Sequence, residues 1–391
     1  MIFAFTAALF LASGVSAQTA HAREVPVFVS GTEGYKAFRI PALLKLPSGD
    51  LLAFAEGRVK GPSDWGNIDM VMKRSTDGGN TWSPLQVVVD YDTLQVSNPG
   101  PVLDRTDPAY PGGRLFLFYN SGTVPEHQIR MGLGVKRCWY VTSADLGRTW
   151  SSPVEITDQV DLLHKPDLNP GWNHPEDWRY YANTPGHACQ ITDGPHAGRL
   201  FVACNHTAGP PQGKGLDGDA HGYYTDDHGK TFHLGQSIHV PGANEATALA
   251  LPGGTVMINT RNSGTDRCRI VALSRDGGDT WDTTWYDRQL PDPGCEGSIV
   301  LAGTYKGRPV IAFTNEAAHK RDSLTLRVSL DEGKTWPVAH LLDHYVPGGA
   351  DTTGRNYSAY SDIAWLGKRS IGVLYEKSNY TRIVFIVERW R

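Results

Sequence analysis

The sequence predicts an all-β chain folded as a six-bladed β-propeller with Asp-box hairpins, and three observations carry that prediction. The first is a repeat: "STDGGNTW" (75–82), "SADLGRTW" (143–150), "SRDGGDTW" (274–281) and "SLDEGKTW" (329–336), with a looser copy, "TDDHGKTF", at 225–232. The second is spacing. The central aspartates, Asp77, Asp145, Asp227, Asp276 and Asp331, lie 68, 82, 49 and 55 residues apart, and each interval fits one four-stranded sheet with its loops. The third is composition: 43 Gly, 25 Pro and 11 Trp in 391 residues, with almost no stretch of helical period, call for many short strands and turns.

Each box sits between strand-like flanks. Before the last copy, "LTLRVSL" (324–330) alternates Leu324, Leu326, Val328 and Leu330 with Thr325, Arg327 and Ser329, the pattern of a half-buried strand. After the first copy, "LQVVVD" (85–90) is again strand-like. The repeat is therefore a hairpin turn in which Asp accepts backbone N–H bonds, Gly supplies a positive φ and Trp packs back over the hairpin. At about 60 residues per sheet the chain holds roughly six, so one sheet lacks a box. "VPVFVS" (25–30) and "IVFIVERW" (383–390) can build it from the two chain ends. No Ser-, Pro- or charge-rich linker divides residues 23–391, which read as one domain.

The first 22 residues, "MIFAFTAALFLASGVSAQTAHA", predict an export signal and a periplasmic or extracellular destination. An apolar run from Ile2 to Leu11 precedes small residues at Val15-Ser16-Ala17 and Ala20-His21-Ala22, although no Lys or Arg precedes the run. No later run is long and apolar enough to span a membrane. A formal net charge of −4 gives no global reason to expect nucleic acid. Of the five cysteines, Cys189 and Cys204 flank the turn "TDGPHAGR" and are the first pair to test for a disulfide. With no C-x-x-C and scattered histidines, no structural metal is expected.

Three arginines stand in unusual settings. Arg39 lies between apolar residues in "YKAFRIPALL", Arg261 ends the apolar strand "VMINTRN", and Arg321 precedes the strand leading to the last box. A guanidinium stays charged and forks two donors toward a carboxylate, so three at one end of a propeller channel would clamp an acidic ligand.

With the five boxes, Phe38-Arg39-Ile40-Pro41, "LLAFAEGR" (51–58), "SDWGNID" (63–69), "TPGHACQ" (184–190), "NTRN" (259–262) and the terminal "AYSD…LYE", the chain resembles the exo-α-sialidases from about residue 26 to its end. The resemblance implies hydrolysis of terminal α-linked sialic acids from sialylated glycans without metal or organic cofactor. It assigns the sialic acid carboxylate to Arg39, Arg261 and Arg321. The third assignment has a rival in Arg327, because the chain carries Asn315-Glu316 where relatives often have Asn-Pro. Asp64 becomes the acid/base, with Asp69 the alternative in the same loop. Tyr360 of Tyr360-Ser361-Asp362 becomes the nucleophile, with Tyr357-Ser358 a near copy. Glu245 takes the phenolic proton, Glu376 steadies Arg39, and Arg58 lines the pocket near the sugar's O4 side. Tyr181 is a further candidate substrate contact.

The chemistry is consistent with this cast. Sialic acid carries a carboxylate on its anomeric carbon, so an anionic nucleophile would meet like charge, whereas a phenol would not. With an ordinary pKa of about 10, the phenol needs a base within hydrogen-bond reach. Asp64 must hold a proton to protonate the departing oxygen, which argues for a partly desolvated loop or a mildly acidic optimum. Rival readings are a non-catalytic propeller that binds acidic glycans, a glycosidase for another 2-keto sugar acid, and a trans-sialidase using the aromatics of "PGWNHPEDWRYY" (170–181).

Overall fold

The computed structural model describes residues 23–162, 178–347 and 356–391. The proposed export signal (1–22) and most of the aromatic stretch at 170–181 lie outside the described residues. In chain order the strands begin with β1 (Val25–Val29). Then come β2 (Ala37–Lys45), β3 (Leu51–Arg58), β4 (Ile68–Ser75) and β5 (Gln86–Val89), followed by β6 (Gln95–Asp104), β7 (Arg114–Gly122), β8 (Lys136–Ser143) and β9 (Val154–Glu155). The next sheet comprises β10 (Tyr181–Asn183), β11 (Cys189–Gln190), β12 (Leu200–Thr207), β13 (Gly218–Thr225) and β14 (His233–Leu234). It is followed by β15 (Ala243–Ala250), β16 (Val256–Asn262), β17 (Cys268–Ser274) and β18 (Thr283–Pro291), then β19 (Ser298–Tyr305), β20 (Arg308–Glu316), β21 (Leu324–Ser329) and β22 (Val338–Asp343). Last are β23 (Ser358–Gly367), β24 (Ser370–Lys377) and β25 (Arg382–Arg389).

The N-terminal strand β1 runs antiparallel beside β25, with Val25 opposite Phe385 and Val29 opposite Arg382. One sheet is thus built from both ends of the chain, which closes an all-β propeller. The sheet count differs from expectation. In place of six separate sheets, the described residues form four of four or five strands and one of eight. The eight-stranded sheet spans β2 to β9 because Ile68 of β4 and Gln95 of β6 pair in parallel at a single position.

The core is a set of wedges between neighbouring sheets. One wedge joins Phe116 and Phe118 of β7 to Val202 and Tyr223 of β12 and β13; another joins Leu43, Ala53 and Val71 to Leu374 and Phe385. At the axis, Asp362 of β23 is fully buried and accepts from Leu43 N (2.7 Å), His187 N (3.0 Å), His187 Nδ1 (2.7 Å) and Ser298 Oγ (2.6 Å). One carboxylate thereby ties together segments of four sheets.

The boxes form the turn chemistry expected of them. Asp77 accepts from Ser75 Oγ, Thr81 N and Thr81 Oγ1 at 2.8, 3.0 and 2.6 Å, and Ser75 Oγ accepts from Gly79 N at 2.8 Å. Asp276 and Asp331 repeat the pattern. The aromatic residue reaches beyond its own hairpin, although Phe232 also meets Tyr223 of β13, in the same hairpin, edge-on at 5.8 Å. Trp82 meets Phe385 of β25 edge-on at 5.6 Å, Trp150 meets Phe54 of β3, Phe232 meets Phe118 of β7 and Trp281 meets Phe201 of β12. Trp336 donates its Nε1–H to Asp287 of β18 at 2.9 Å. Each box therefore pins its sheet to strands that come before it around the ring; for the first box, these belong to the closing sheet. The glycines permit the approach: a Cβ at Gly79 would lie 2.0 Å from Phe385, and one at Gly278 2.3 Å from Phe201.

No disulfide joins Cys189 and Cys204; all five cysteines are free thiols. The register explains why. Cys189 pairs with Phe201 while Cys204 pairs with Asn183, so the two are offset by three positions, roughly 10 Å along the strand and on opposite faces.

Candidate active site

A cavity of about 450 Å³ opens at one end of the axis, lined by residues from strands and loops of all the sheets. Among its walls are Arg39, Arg58, Asp64, Glu245, Arg261, Arg321 and Tyr360. The inner strands deliver most of them, so residues separated by more than 300 positions meet across a few ångströms.

Arg39 enters from β2 at a bulge. The register with β3 slips between Arg39 and Ala42, and Ile40 adopts φ 58°, an uncommon backbone for a β-branched residue. Glu376 of β24, fully buried, holds this strained turn: it accepts Arg39 Nε at 2.9 Å, Arg39 Nη2 at 3.0 Å and Ile40 N at 2.8 Å. The forked pair fixes the guanidinium plane, as a carboxylate does best.

Tyr360 of β23 donates to Glu245 Oε1 at 2.6 Å, and Arg261 Nη1 donates both to Glu245 Oε2 at 2.5 Å and to the phenol oxygen at 3.2 Å. Arg39 and Arg321 lie over the same ring at 5.2 and 5.4 Å. Burial, then the Glu245 carboxylate, push the Tyr360 hydroxyl well above its usual value, while Arg261 and Arg321 act in the opposite sense. The phenol is protonated at rest, with an acceptor already bonded to its proton.

Asp64 stands on the β3–β4 loop at the cavity mouth, its side chain 75% exposed. It meets Arg58 Nη1 at 2.7 Å and Arg39 Nη1 at 3.4 Å. Partial loss of water acts to raise its pKa, but Arg58 first and then Arg39 draw it below the ordinary carboxylate value. The carboxyl expected to carry a proton is therefore paired and ionised in the free protein at neutral pH. Arg58 is itself anchored by Glu56 Oε2 at 2.6 Å.

Other residues fall elsewhere. Tyr181 does not reach the cavity: it is buried in the core, stacked on Trp178, with its hydroxyl 3.3 Å from Cys204 Sγ. Strand alternation explains the correction, since neighbouring side chains face opposite ways and Tyr180 lines the cavity instead. Asp69, on β4 rather than in the loop before it, accepts the Tyr35 hydroxyl at 2.6 Å, Tyr357 lies beside Lys377, and Arg327 sits on β21; none lines the cavity.

Sequence reading missed part of the cavity wall, including Lys136 and Gln95. Lys136, at the start of β8, is buried, and its Nζ donates to the Tyr180 hydroxyl at 3.3 Å. Burial lowers its pKa against the pull of Glu126, Glu56, Asp64 and Glu245. Gln95 donates to the Asp64 carbonyl at 2.6 Å. A lone Lys or Gln at a strand start carries no sequence signal, although the tyrosine pair at 180–181 offered one through alternation.

A family model described as "BNR repeat-like domain" matches residues 49–370. The sialidase of Micromonospora viridifaciens is 34% identical over 377 residues, covering 90% of this chain and 52% of its own length. The chain thus spans about half of that relative. Sialidase-2 of Rattus norvegicus is 30% identical over 381 residues, covering 91% of this chain and 93% of the rat protein. Among solved structures, a Hadza microbial sialidase superposes with a TM-score of 0.71 at 24% identity, over 92% of this chain and 67% of the other. A leech intramolecular trans-sialidase does so with a TM-score of 0.73 at 18% identity, over 95% and 70%. These structural likenesses establish the fold. The repeat-domain match across most of the chain, together with the rat protein's alignment over nine-tenths of both sequences, shows that the chain belongs to the sialidase family.

Proposed function

We propose that this chain is an exo-α-sialidase that removes terminal α-linked sialic acids from glycans with retention, using Tyr360 as nucleophile. The observation that carries the reading is the Tyr360–Glu245–Arg261 cluster, with bonds of 2.6, 2.5 and 3.2 Å, beneath three converging arginines. Arg39, Arg261 and Arg321 receive the sugar carboxylate. Tyr360 Oη attacks the anomeric carbon as its proton passes to Glu245 Oε1, and Asp64 gives a proton to the departing glycosidic oxygen. Water then attacks the same carbon, losing a proton to Asp64, while the bond to Tyr360 breaks and the phenol regains its proton from Glu245. Arg58 positions Asp64 at the mouth, and Glu376 fixes Arg39.

In the same reading the eight-stranded sheet counts as two blades joined by the Ile68–Gln95 bridge, giving six in one domain over 23–391, with 1–22 an export signal. Among the described residues, no helix is long and apolar enough to cross a membrane.

The test is release of 4-methylumbelliferone from its α-N-acetylneuraminide by wild type and by Tyr360→Phe, with and without EDTA. Release that is lost in the variant and indifferent to EDTA supports the reading. Retention of most activity by Tyr360→Phe would overturn the nucleophile. No release by folded wild type would favour a different 2-keto sugar acid or a binding protein.

A further inference from the structure

The three arginines assigned to the ligand carboxylate are not held alike. Arg39 is forked onto Glu376 and Arg261 is bonded to Glu245. Arg321, on the loop between β20 and β21, has no carboxylate within 4 Å among the described residues; its Nη1 donates instead to the hydroxyl oxygen of Tyr380 at 2.8 Å. The same tyrosine presents its ring to Arg39, whose guanidinium carbon lies 3.9 Å from the ring centre. Tyr380 does not line the cavity; it packs behind it, against Ile40, Cys295, Ala359 and Tyr360.

Its backbone is held in an unusual shape. Ser378, Asn379 and Tyr380 all have positive φ (55°, 53° and 66°), a run that side-chain-bearing residues rarely adopt. Three contacts secure it: Ser30 Oγ donates to the Tyr380 carbonyl at 2.7 Å, Ser378 N to the Tyr357 carbonyl at 2.7 Å and Asn379 N to the Asn356 carbonyl at 3.1 Å. A strained turn tied down at both sides, with its aromatic residue delivered between two like charges, is the arrangement of a positioning device.

We propose that Tyr380 is a positioning residue for the arginine trio: its ring seats Arg39 and its hydroxyl oxygen aims Arg321, leaving the Arg321 charge uncompensated for the ligand carboxylate. This rests on the sialidase reading of the cavity. A carboxylate in the place of Tyr380 would orient Arg321 equally well but would compete with the substrate for it. A phenol orients by one hydrogen bond and an electron-rich face, and neutralises nothing. Of the acids on the same hairpin, Asp322 pairs with Lys320 Nζ at 3.8 Å, and Glu316 at the end of β20 is fully buried, with burial pushing its pKa up to about 8, so at pH 7 it supplies little counter-charge.

The experiment compares inhibition of 4-methylumbelliferyl sialoside hydrolysis by a 2,3-unsaturated sialic acid and by its methyl ester, which has the same shape without the charge. In Tyr380→Phe, the acid should bind about tenfold more weakly and the ester within about twofold of wild type, with KM raised far more than kcat is lowered. In an Arg321→Met background the same change should have no further effect on the acid. Ser30→Ala, which frees the Tyr380 carbonyl, should weaken the acid selectively and serves if Tyr380→Phe fails to fold. Unchanged binding of the acid in a folded variant, or equal weakening of acid and ester, overturns the proposal while leaving the sialidase reading intact. Failure of wild type to hydrolyse the sialoside or bind the acid removes that reading, and this inference with it.

Discussion

Tyr360 and Glu245 share a proton across 2.6 Å, and burial keeps that proton on the phenol until something draws the oxygen away. In the proposed mechanism Glu245→Gln removes the acceptor while preserving shape, so kcat should fall roughly 10²- to 10⁴-fold with a far smaller change in KM, as measured by steady-state hydrolysis. Asp64 sets the pH dependence. Its pKa is lowered by Arg58 and Arg39 in the free protein, yet general-acid catalysis uses the protonated form, so kcat/KM should rise as pH falls from 7 toward the acid range. Arg58→Gln removes the largest charge that stabilises the Asp64 anion, and the alkaline limb of the kcat/KM profile should move to higher pH. An unmoved limb would mean that Asp64 does not govern it. At this scale the motifs named Arg39, Arg58, Asp64, Glu245, Arg261, Arg321 and Tyr360, and all seven line one cavity. Tyr181 was misplaced because adjacent strand residues face opposite ways, and only the register distinguishes it from Tyr180. Lys136 was not legible, because its burial depends on blades brought together by folding rather than on any local pattern.

The hairpins were legible as elements, since the box aspartates, glycines and flanking alternation all specify a turn locally. What the aromatic of each box touches was not, because its partner lies on a strand distant in sequence: Trp281 meets Phe201, and Trp82 meets Phe385 at the far end of the chain. The box glycine thus has two duties, a positive φ and clearance for the neighbouring sheet. Gly278 has φ 100° and an added Cβ would lie 2.3 Å from the Phe201 ring. Gly278→Ala should therefore cost about 1–3 kcal/mol or more in chemical denaturation, well above an ordinary surface change. A variant as stable as wild type would show that the neighbouring sheet can yield at that contact. The disulfide expectation failed for an equally non-local reason, since two cysteines flanking a turn are bridgeable only if their positions pair.

Across the whole molecule the repeat spacing announced a ring of sheets and its closure by both chain ends, and β1 beside β25 supplies that closure. Spacing could not reveal the parallel bridge that merges β2–β9 into one sheet, because a single pairing leaves no periodic trace. The axial carboxylate Asp362 was read only as part of the motif that marks Tyr360. In the structure it joins segments of four sheets and bonds to His187. Burial alone would lower the His187 pKa, but Asp362 beside it outweighs that and leaves it raised above 6.5. A raised folded-state value means that this pair stabilises the fold fully below about pH 6.5 and loses its contribution as pH climbs through the His187 pKa. The melting temperature of His187→Gln should accordingly lie furthest below wild type at acidic pH, and the gap should narrow as pH rises. A gap independent of pH would assign His187 to packing alone. Asp362→Ala, which leaves buried donors without their acceptor, should be the more damaging change, on the order of 3–5 kcal/mol.

The measurement that bears most directly on the central claim is peptide mapping after reaction with a 2,3-difluorinated sialic acid, whose fluorine at C3 slows the second step so that a covalent intermediate accumulates. The account predicts one sugar per chain, carried on Tyr360, and no adduct in Tyr360→Phe. A label on Glu245 or Tyr357, or rapid turnover by wild type with no covalent species at all, would contradict it.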